Sequence, residues 1–249
     1  MVIGYSGPAP AEPEFVLSGT VIRVVDGDTV DVRLSSGPIR VRLYGIDTPE
    51  RAQPFGRAST AYLVTMIKRQ EVQLLPVAQD AYDRIVAVLY LGDVNVNAEL
   101  VRTGHAWAYR KYLGTLADDA AYCRLEGQAR DSGFGLWSLP AGDRVPPWEY
   151  RAARQPGRHV SADYSNETVE KCIAAMAGGR SAAHQTTAAT STTSRPGCLI
   201  KGNINSRGER IYHSPGRPSY ARTRINEAAG ERWFCSEREA RQAGWRPPR

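Results

Sequence analysis

Residues 17–44, LSGTVIRVVDGDTVDVRLSSGPIRVRLY, set the architecture of this chain. Its apolar side chains come in short runs: Val21, Val24 and Val25, then Val30, Val32 and Leu34, then Ile39, Val41 and Leu43. Between the runs stand Asp26-Gly27-Asp28 and Ser35-Ser36-Gly37-Pro38, the residue types that tight turns demand. Alternation of period two with such punctuation predicts three antiparallel strands. Arg40, Arg42 and Tyr44 then fall on the face opposite Ile39, Val41 and Leu43.

The flanking chain extends this pattern. RASTAYLVTMIKR (57–69) predicts a helix, with Ala58, Ala61, Tyr62, Thr65 and Met66 at helical spacing. EVQLLP (71–76) and RIVAVLY (84–90) read as two more strands. A short helix over 96–103 ends at Gly104, a residue suited to a C-cap. Another helix spans 116–130, and GFGLW (133–137) closes the unit. Five strands and three helices suit a mainly β fold, a small closed barrel of the OB type, which often binds nucleic acids.

Five regions follow. Residues 1–16 form a Pro-, Ala- and Glu-rich disordered lead-in, without the basic start and apolar core of a signal peptide. Residues 17–139 form the barrel domain, and 140–177 an extension with one short helix over 167–177. Within it Pro146, Pro147 and RQPGRHVSADYSN (154–166) read as exposed chain. Residues 178–197 are Thr, Ser, Ala and Gly with almost no large apolar side chain, too little to offset ordering entropy, so they read as a flexible linker. Residues 198–249 are compact again, a small α+β module with Tyr212, Tyr220, Trp233, Phe234 and Trp245.

The net charge is +6, and it is localised. Residues 198–249 hold 11 Lys/Arg against 5 Glu, while residues 1–197 hold 21 of each sign. A basic terminal module is the footprint of a phosphate-rich partner, or a solubilising tail. No apolar run reaches the ~20 residues that span a bilayer.

The 4 cysteines, Cys123, Cys172, Cys198 and Cys235, form no CxxC pair. Pairing Cys123 with Cys172 and Cys198 with Cys235 would keep both bridges local and imply an oxidising compartment, secreted or periplasmic. Four buried thiols in a cytoplasmic protein is the alternative.

Three clusters carry chemistry. DGDT (26–29) is first of all a hairpin turn. In LYGIDTPE (43–50), Asp47 and Glu50 leave a strand three residues apart with Pro49 stiffening the backbone between them. Asp28 beside them makes an all-oxygen site that suits Ca²⁺ or Mg²⁺ rather than Zn²⁺. DAYDR (80–84) enters a strand, and Arg42 and Arg84 offer two guanidinium groups fit for bidentate phosphate contacts.

Taken together, VVDGDTV (24–30), VRLYGIDTPE (41–50), AYDRIVAVLY (81–90), VNAELVRTGHAWAY (96–109) and GLW (135–137) resemble the staphylococcal nuclease (thermonuclease) family over residues 17–139. The resemblance implies an OB-fold barrel and Ca²⁺-dependent hydrolysis of phosphodiesters in DNA and RNA, with Mg²⁺ or another divalent ion as the variant. It assigns metal binding to the carboxylates of Asp28 and Asp47 and the carbonyl of Thr48. It assigns the attacking water to Glu50, as orienter or base, and the phosphate to Arg42 and Arg84. Tyr109 and Tyr112 match the tyrosine-bearing segment near the nucleotide. Rival readings are a catalytically silent OB-fold binding module, and a phosphodiesterase with another metal or confined to single strands. The five key side chains argue against the silent module.

Two departures stand out. Asp83 precedes Arg84 where the family commonly has glycine, which sets a negative charge beside a phosphate-binding arginine. The loop RAQPFGR (51–57) is short. The C-terminal segment resembles a small module appended to other bacterial nucleases, and its WFCSEREARQAGWR stretch (233–246) resembles the metal-binding region of bacterial DNA-methylation-repair regulators. That region uses four cysteines on zinc; Cys198, His213 and Cys235 are too few, so a disulfide or bare thiols fit better. The expected partner of the module is nucleic acid or an envelope component, and the expected state is a monomer.

Overall fold

The structure is a computed structural model that describes residues 17–155, 167–183, 198–215, 217, 219–220, 222–235 and 237–248. The lead-in over 1–16, nearly all of the exposed stretch over 154–166, and the linker beyond residue 183 lie outside the described residues.

The first three strands are β1 (Leu17–Val24), β2 (Thr29–Leu34) and β3 (Gly37–Leu43). Two residues form β4 (Ile46–Asp47), and helix α1 (Gly56–Ile67) follows. Next come β5 (Glu71–Gln79), β6 (Ile85–Leu91), the short β7 (Val94–Asn95), helix α2 (Val96–Arg102), the short β8 (Trp107–Ala108) and helix α3 (Ala120–Asp131). The sheet runs β3-β2-β1-β5-β6, and β3 pairs in parallel with β6. That pairing closes a five-strand barrel, as the alternating pattern predicts. The register of β1 shifts between Val21 and Arg23, and that of β5 between Pro76 and Ala78. Such bulges bend strands into closure, and they also tolerate a proline that cannot donate to a ladder. Val21, Val30, Val32, Val41, Leu43, Leu74 and Ile85 fill the interior.

Two details differ from the sequence pattern. Helix α1 buries Gly56, Ser59, Leu63 and Ile67, whereas Ala58, Ala61 and Thr65 are exposed. Leu63 and Ile67 bring far more apolar area than the small alanines, so they choose the face. Tyr44 is buried rather than continuing the solvent side of Arg40, because it leaves the strand and its hydroxyl donates to Asp119 Oδ2 at 2.6 Å.

Buried polar groups tie the helices to the barrel. Asn97 on α2 accepts from Leu89 N–H and donates to the carbonyls of Tyr44 and Ala87. Glu126 on α3, 1% exposed, accepts from Ala108 N–H at 2.7 Å, Arg110 at 2.8 Å and Arg130 at 2.6 Å.

The extension is not exposed throughout. Pro146 and Pro147 are buried, and Pro147 opens helix α4 (Pro147–Ala153). Helix α5 (Val169–Ala183) continues past residue 177. Cys172 on α5 is bonded to Cys123 on α3, and Cys172 and Met176 join the barrel core. The terminal module has strands β9 (Ile200–Ile204), β10 (Arg210–His213) and β11 (Arg232–Phe234) in the order β10-β9-β11, and helix α6 (Glu237–Gln242). Ile200, Tyr212, Phe234, Ala240 and Trp245 form its core, and Cys198 is bonded to Cys235. Leu199 and Tyr220 pack with the barrel core, so the module is docked. His213 meets Ser219 Oγ and Asn203 Oδ1. No helix among the described residues is long and apolar enough to cross a membrane.

Glu126→Ala leaves Arg110 with the carboxylate and Arg130 with the carbonyl of Glu167 in a buried site, so it should cost about 3 kcal/mol in urea unfolding; an unchanged midpoint would dismiss the network as a support. A second expectation concerns pH. His105 stacks on Tyr62 at 3.9 Å, and burial pulls its pKa below the ordinary value. The folded state therefore keeps the ring neutral while the unfolded chain takes up a proton. Stability should fall as pH drops through about 6.5, the unfolded value. His105→Phe should flatten that fall between pH 7.5 and 5 in the same unfolding measurement.

Candidate active site

The DGDT turn between β1 and β2 and the chain leaving β3 meet at one point. Gly27 permits the approach: a Cβ there would sit 2.6 Å from Thr48 Oγ1. Asp28, 3% exposed, accepts from Thr48 N–H at 2.9 Å and Thr48 Oγ1 at 3.0 Å through Oδ2. Its Oδ1 accepts from Thr29 Oγ1 and is ion-paired with Arg42 Nη1. Asp47, 1% exposed, accepts from Arg42 Nη2 at 2.9 Å. One guanidinium thus joins two buried carboxylates.

Asp47 is placed from behind. β4 pairs with β8 through Ile46↔Ala108 and Asp47↔Trp107, and Glu126 holds β8 by the Ala108 N–H. Glu50 is placed by its own loop. Its N–H donates to Gln53 Oε1 at 2.8 Å, and Gly56 lies so close that a Cβ would meet the Glu50 carbonyl at 2.0 Å. The Glu50 side chain remains 41% exposed.

Helix α4 completes the wall. Trp148 stacks on Tyr109, with ring centroids 5.1 Å apart and planes at 4°, and it meets Trp107 edge-on. Three residues on, Arg151 donates to Asp47 Oδ2 at 2.7 Å and Oδ1 at 3.2 Å, and to Glu50 Oε1 at 2.8 Å. Burial opposes the Arg151 charge, but Asp47 and then Glu50 more than offset it, so its pKa is raised. Tyr109 is raised too, first by burial and then by the Asp47 charge.

Asp28, Arg42, Asp47, Thr48 and Glu50 are therefore gathered together. Arg84 is engaged elsewhere, with its Nε donating to Asp80 Oδ2 at 2.6 Å. Among the described residues, no three acidic, histidine or cysteine side chains converge enough to cage a metal by themselves. Two buried carboxylates with a neighbouring carbonyl still fit a hard, partly hydrated cation held by few protein oxygens. The guanidinium groups already lying on those oxygens act as stand-in cations, and they mark positions that favour positive charge.

Sequence comparison matches residues 40–139 to the family described as staphylococcal nuclease homologue. Protein ParB of Escherichia coli is 39% identical over 159 residues, covering 60% of this chain and 85% of that protein. Micrococcal nuclease of Shigella flexneri is 40% identical over 153 residues, covering 58% of this chain and 84% of its own. An Escherichia coli protein named uncharacterized endonuclease is 39% identical over 136 residues, covering 54% and 85%. This chain belongs to the staphylococcal nuclease family.

Staphylococcal nuclease membership also clarifies the departure at Asp83. Its backbone is left-handed, with φ 60°, the conformation that glycine adopts freely and aspartate tolerates. The acid that engages Arg84 is Asp80, while Asp83 faces Gln79 and Arg224. Of the two candidate tyrosines, Tyr109 lies against Trp148, and Tyr112 is 54% exposed beside it. Sequence reasoning missed Trp148 and Arg151. Both lie outside the matched 40–139 span, and Arg151 is 104 residues from Asp47. The one available signal was Pro146-Pro147, which starts a helix as readily as it breaks one.

Gly27→Ala forces Thr48 off Asp28 and should lower stability by about 1–3 kcal/mol in urea unfolding; an unaltered midpoint would mean that Thr48 moves aside freely.

Proposed function

We propose that this chain is a sugar-nonspecific nuclease, hydrolysing phosphodiesters of DNA and RNA with one divalent cation, Ca²⁺ by the hardness of its ligands. The observation that carries this reading is that Arg42 joins Asp28 to Asp47 and Arg151 joins Asp47 to Glu50, in a chain of this family. The nuclease and endonuclease names of its relatives support it.

Asp28 and Asp47 would hold the cation through carboxylate oxygens, and Thr48 through its carbonyl. When bound, such an ion polarises a phosphoryl oxygen and offsets its charge. The remaining work belongs to side chains. Arg42 is anchored at both carboxylates and presents fixed positive charge where charge grows on the phosphate during attack. Arg84 lies just before β6, whose Val86 pairs with Arg42 of β3, so the two arginines come from neighbouring strands. Release from Asp80 would let it reach a phosphate. Glu50, partly exposed, orients the attacking water or takes its proton as the P–O ester bond breaks. The exposed Tyr112 ring offers a stacking face to an unpaired base, with Tyr109 beside it.

The two disulfides support folding in an oxidising compartment, secreted or periplasmic. The docked module over 198–249 supplies a basic surface for nucleic acid, and the protein acts as a monomer.

Single- and double-stranded DNA and RNA should be cleaved with Ca²⁺ and left intact with a chelator. Arg42→Ala and Glu50→Ala should each lower kcat by roughly 10²–10³. Nucleic acid left uncut in Ca²⁺ would sink the reading, and full activity in either variant would sink that residue's role. For the module, replacing the exposed Arg207, Arg222 and Arg238 with glutamine should reduce the salt slope of DNA binding by about 2–3. An unchanged slope would point away from nucleic acid and toward an envelope partner.

A further inference from the structure

We infer that Arg151, which lies on Asp47 and Glu50, is a resident cation of the active site and exchanges with the divalent ion at Asp47; this rests on the nuclease reading above. The two arginines at the site differ in kind. Arg42 is enclosed, 17% exposed, and pinned by Asp28, Asp47 and the Ile46 carbonyl. Arg151 is 41% exposed and meets both oxygens of Asp47, Oε1 of Glu50 and Tyr109 from the outer side of the site. It bridges the carboxylate assigned to the metal and the one assigned to water.

A carboxylate oxygen has few lone pairs to share. Asp47 Oδ1 already serves Arg42 and Arg151, and Oδ2 serves Arg151. A divalent ion on Asp47 would meet the Arg151 charge across the same two oxygens, and like charges this close exclude each other. One of the two cations must leave, and Arg151, 41% exposed, is freer to do so than the pinned Arg42, 17% exposed. Without either, Asp47 and Glu50 would repel each other beside the buried Asp28. Arg151 therefore keeps the carboxylates in position before the metal arrives, at the expense of metal affinity. Its helix does not leave with it: Pro147 is buried and Trp148 is stacked on Tyr109, so a released Arg151 stays at the edge of the site. Arg151 is a positioning residue that sets metal affinity.

The test is calorimetric titration of Ca²⁺, without nucleic acid, into the full-length protein and its Arg151→Ala, Arg151→Gln and Arg154→Ala variants. Arg154 carries the same charge one helical turn on, but its guanidinium lies on Tyr150. Both Arg151 variants should bind Ca²⁺ about tenfold tighter, the equivalent of roughly 1.4 kcal/mol, while Arg154→Ala stays close to wild type. Without Ca²⁺ the Arg151 variants should melt below wild type, and Ca²⁺ should raise their Tm by more. A variant that folds only with Ca²⁺ supports the exchange equally, because a cation is then what the carboxylates lack. Equal or weaker Ca²⁺ affinity on losing Arg151 overturns it and leaves the nuclease reading standing. Absence of Ca²⁺ binding in every form overturns the calcium assignment and the exchange together.

Discussion

Two carboxylates at 3% and 1% exposure cannot share a small space unless a cation accompanies them, and Arg42 is that cation. Its one guanidinium reaches Asp28 on the first hairpin turn and Asp47 beyond β3. Removing water from such charges is expensive, and the expense is recovered only where geometry and hydrogen bonding are complete. Thr48 completes them on Asp28 with both its N–H and its hydroxyl. Gly27 lets the two loops touch. The ion pair therefore constrains hairpin, strand register and loop together.

The rest of the domain reads as support for that arrangement. Glu126 holds Ala108, β8 holds β4, and β4 carries Asp47. Asn97 ties the Tyr44 carbonyl, just before β4, to strand β6. Each of these contacts is a buried polar group whose partner is supplied, and such networks specify one arrangement where apolar packing alone tolerates several. The Cys123–Cys172 bond and the barrel-facing side of α5 show that the segment after the family-matched span belongs to the same core.

The terminal module joins the barrel through specific contacts. Ser36 Oγ donates to the Pro215 carbonyl at 2.6 Å, and Tyr220 packs into the barrel core. Lys201 is buried against the Tyr220 and Trp233 rings, and burial pulls its ammonium down to about 8. Arg224 of the module lies 3.9 Å from Asp83, while Arg207, Arg222 and Arg238 are exposed.

The sequence by itself determined the five barrel strands and helices α1, α2, α3 and α5, because period-two and period-3.6 patterns are written locally. It also determined Asp28, Arg42, Asp47, Thr48 and Glu50 as a set, because each sits in a short motif whose spacing the family resemblance reads. It did not determine the buried face of α1, since alanines are apolar enough to fit either side and only packing ranks them. Nor did it reveal that Arg84 rests on Asp80, or that Asp83 occupies a left-handed position. Arg151 and Trp148 were the least legible. They lie in an extension whose prolines read as exposed chain, and a contact made across 104 residues leaves no periodic trace. Only the tertiary structure decided which cation sits on Asp47, because charge complementarity acts through space and not along the chain.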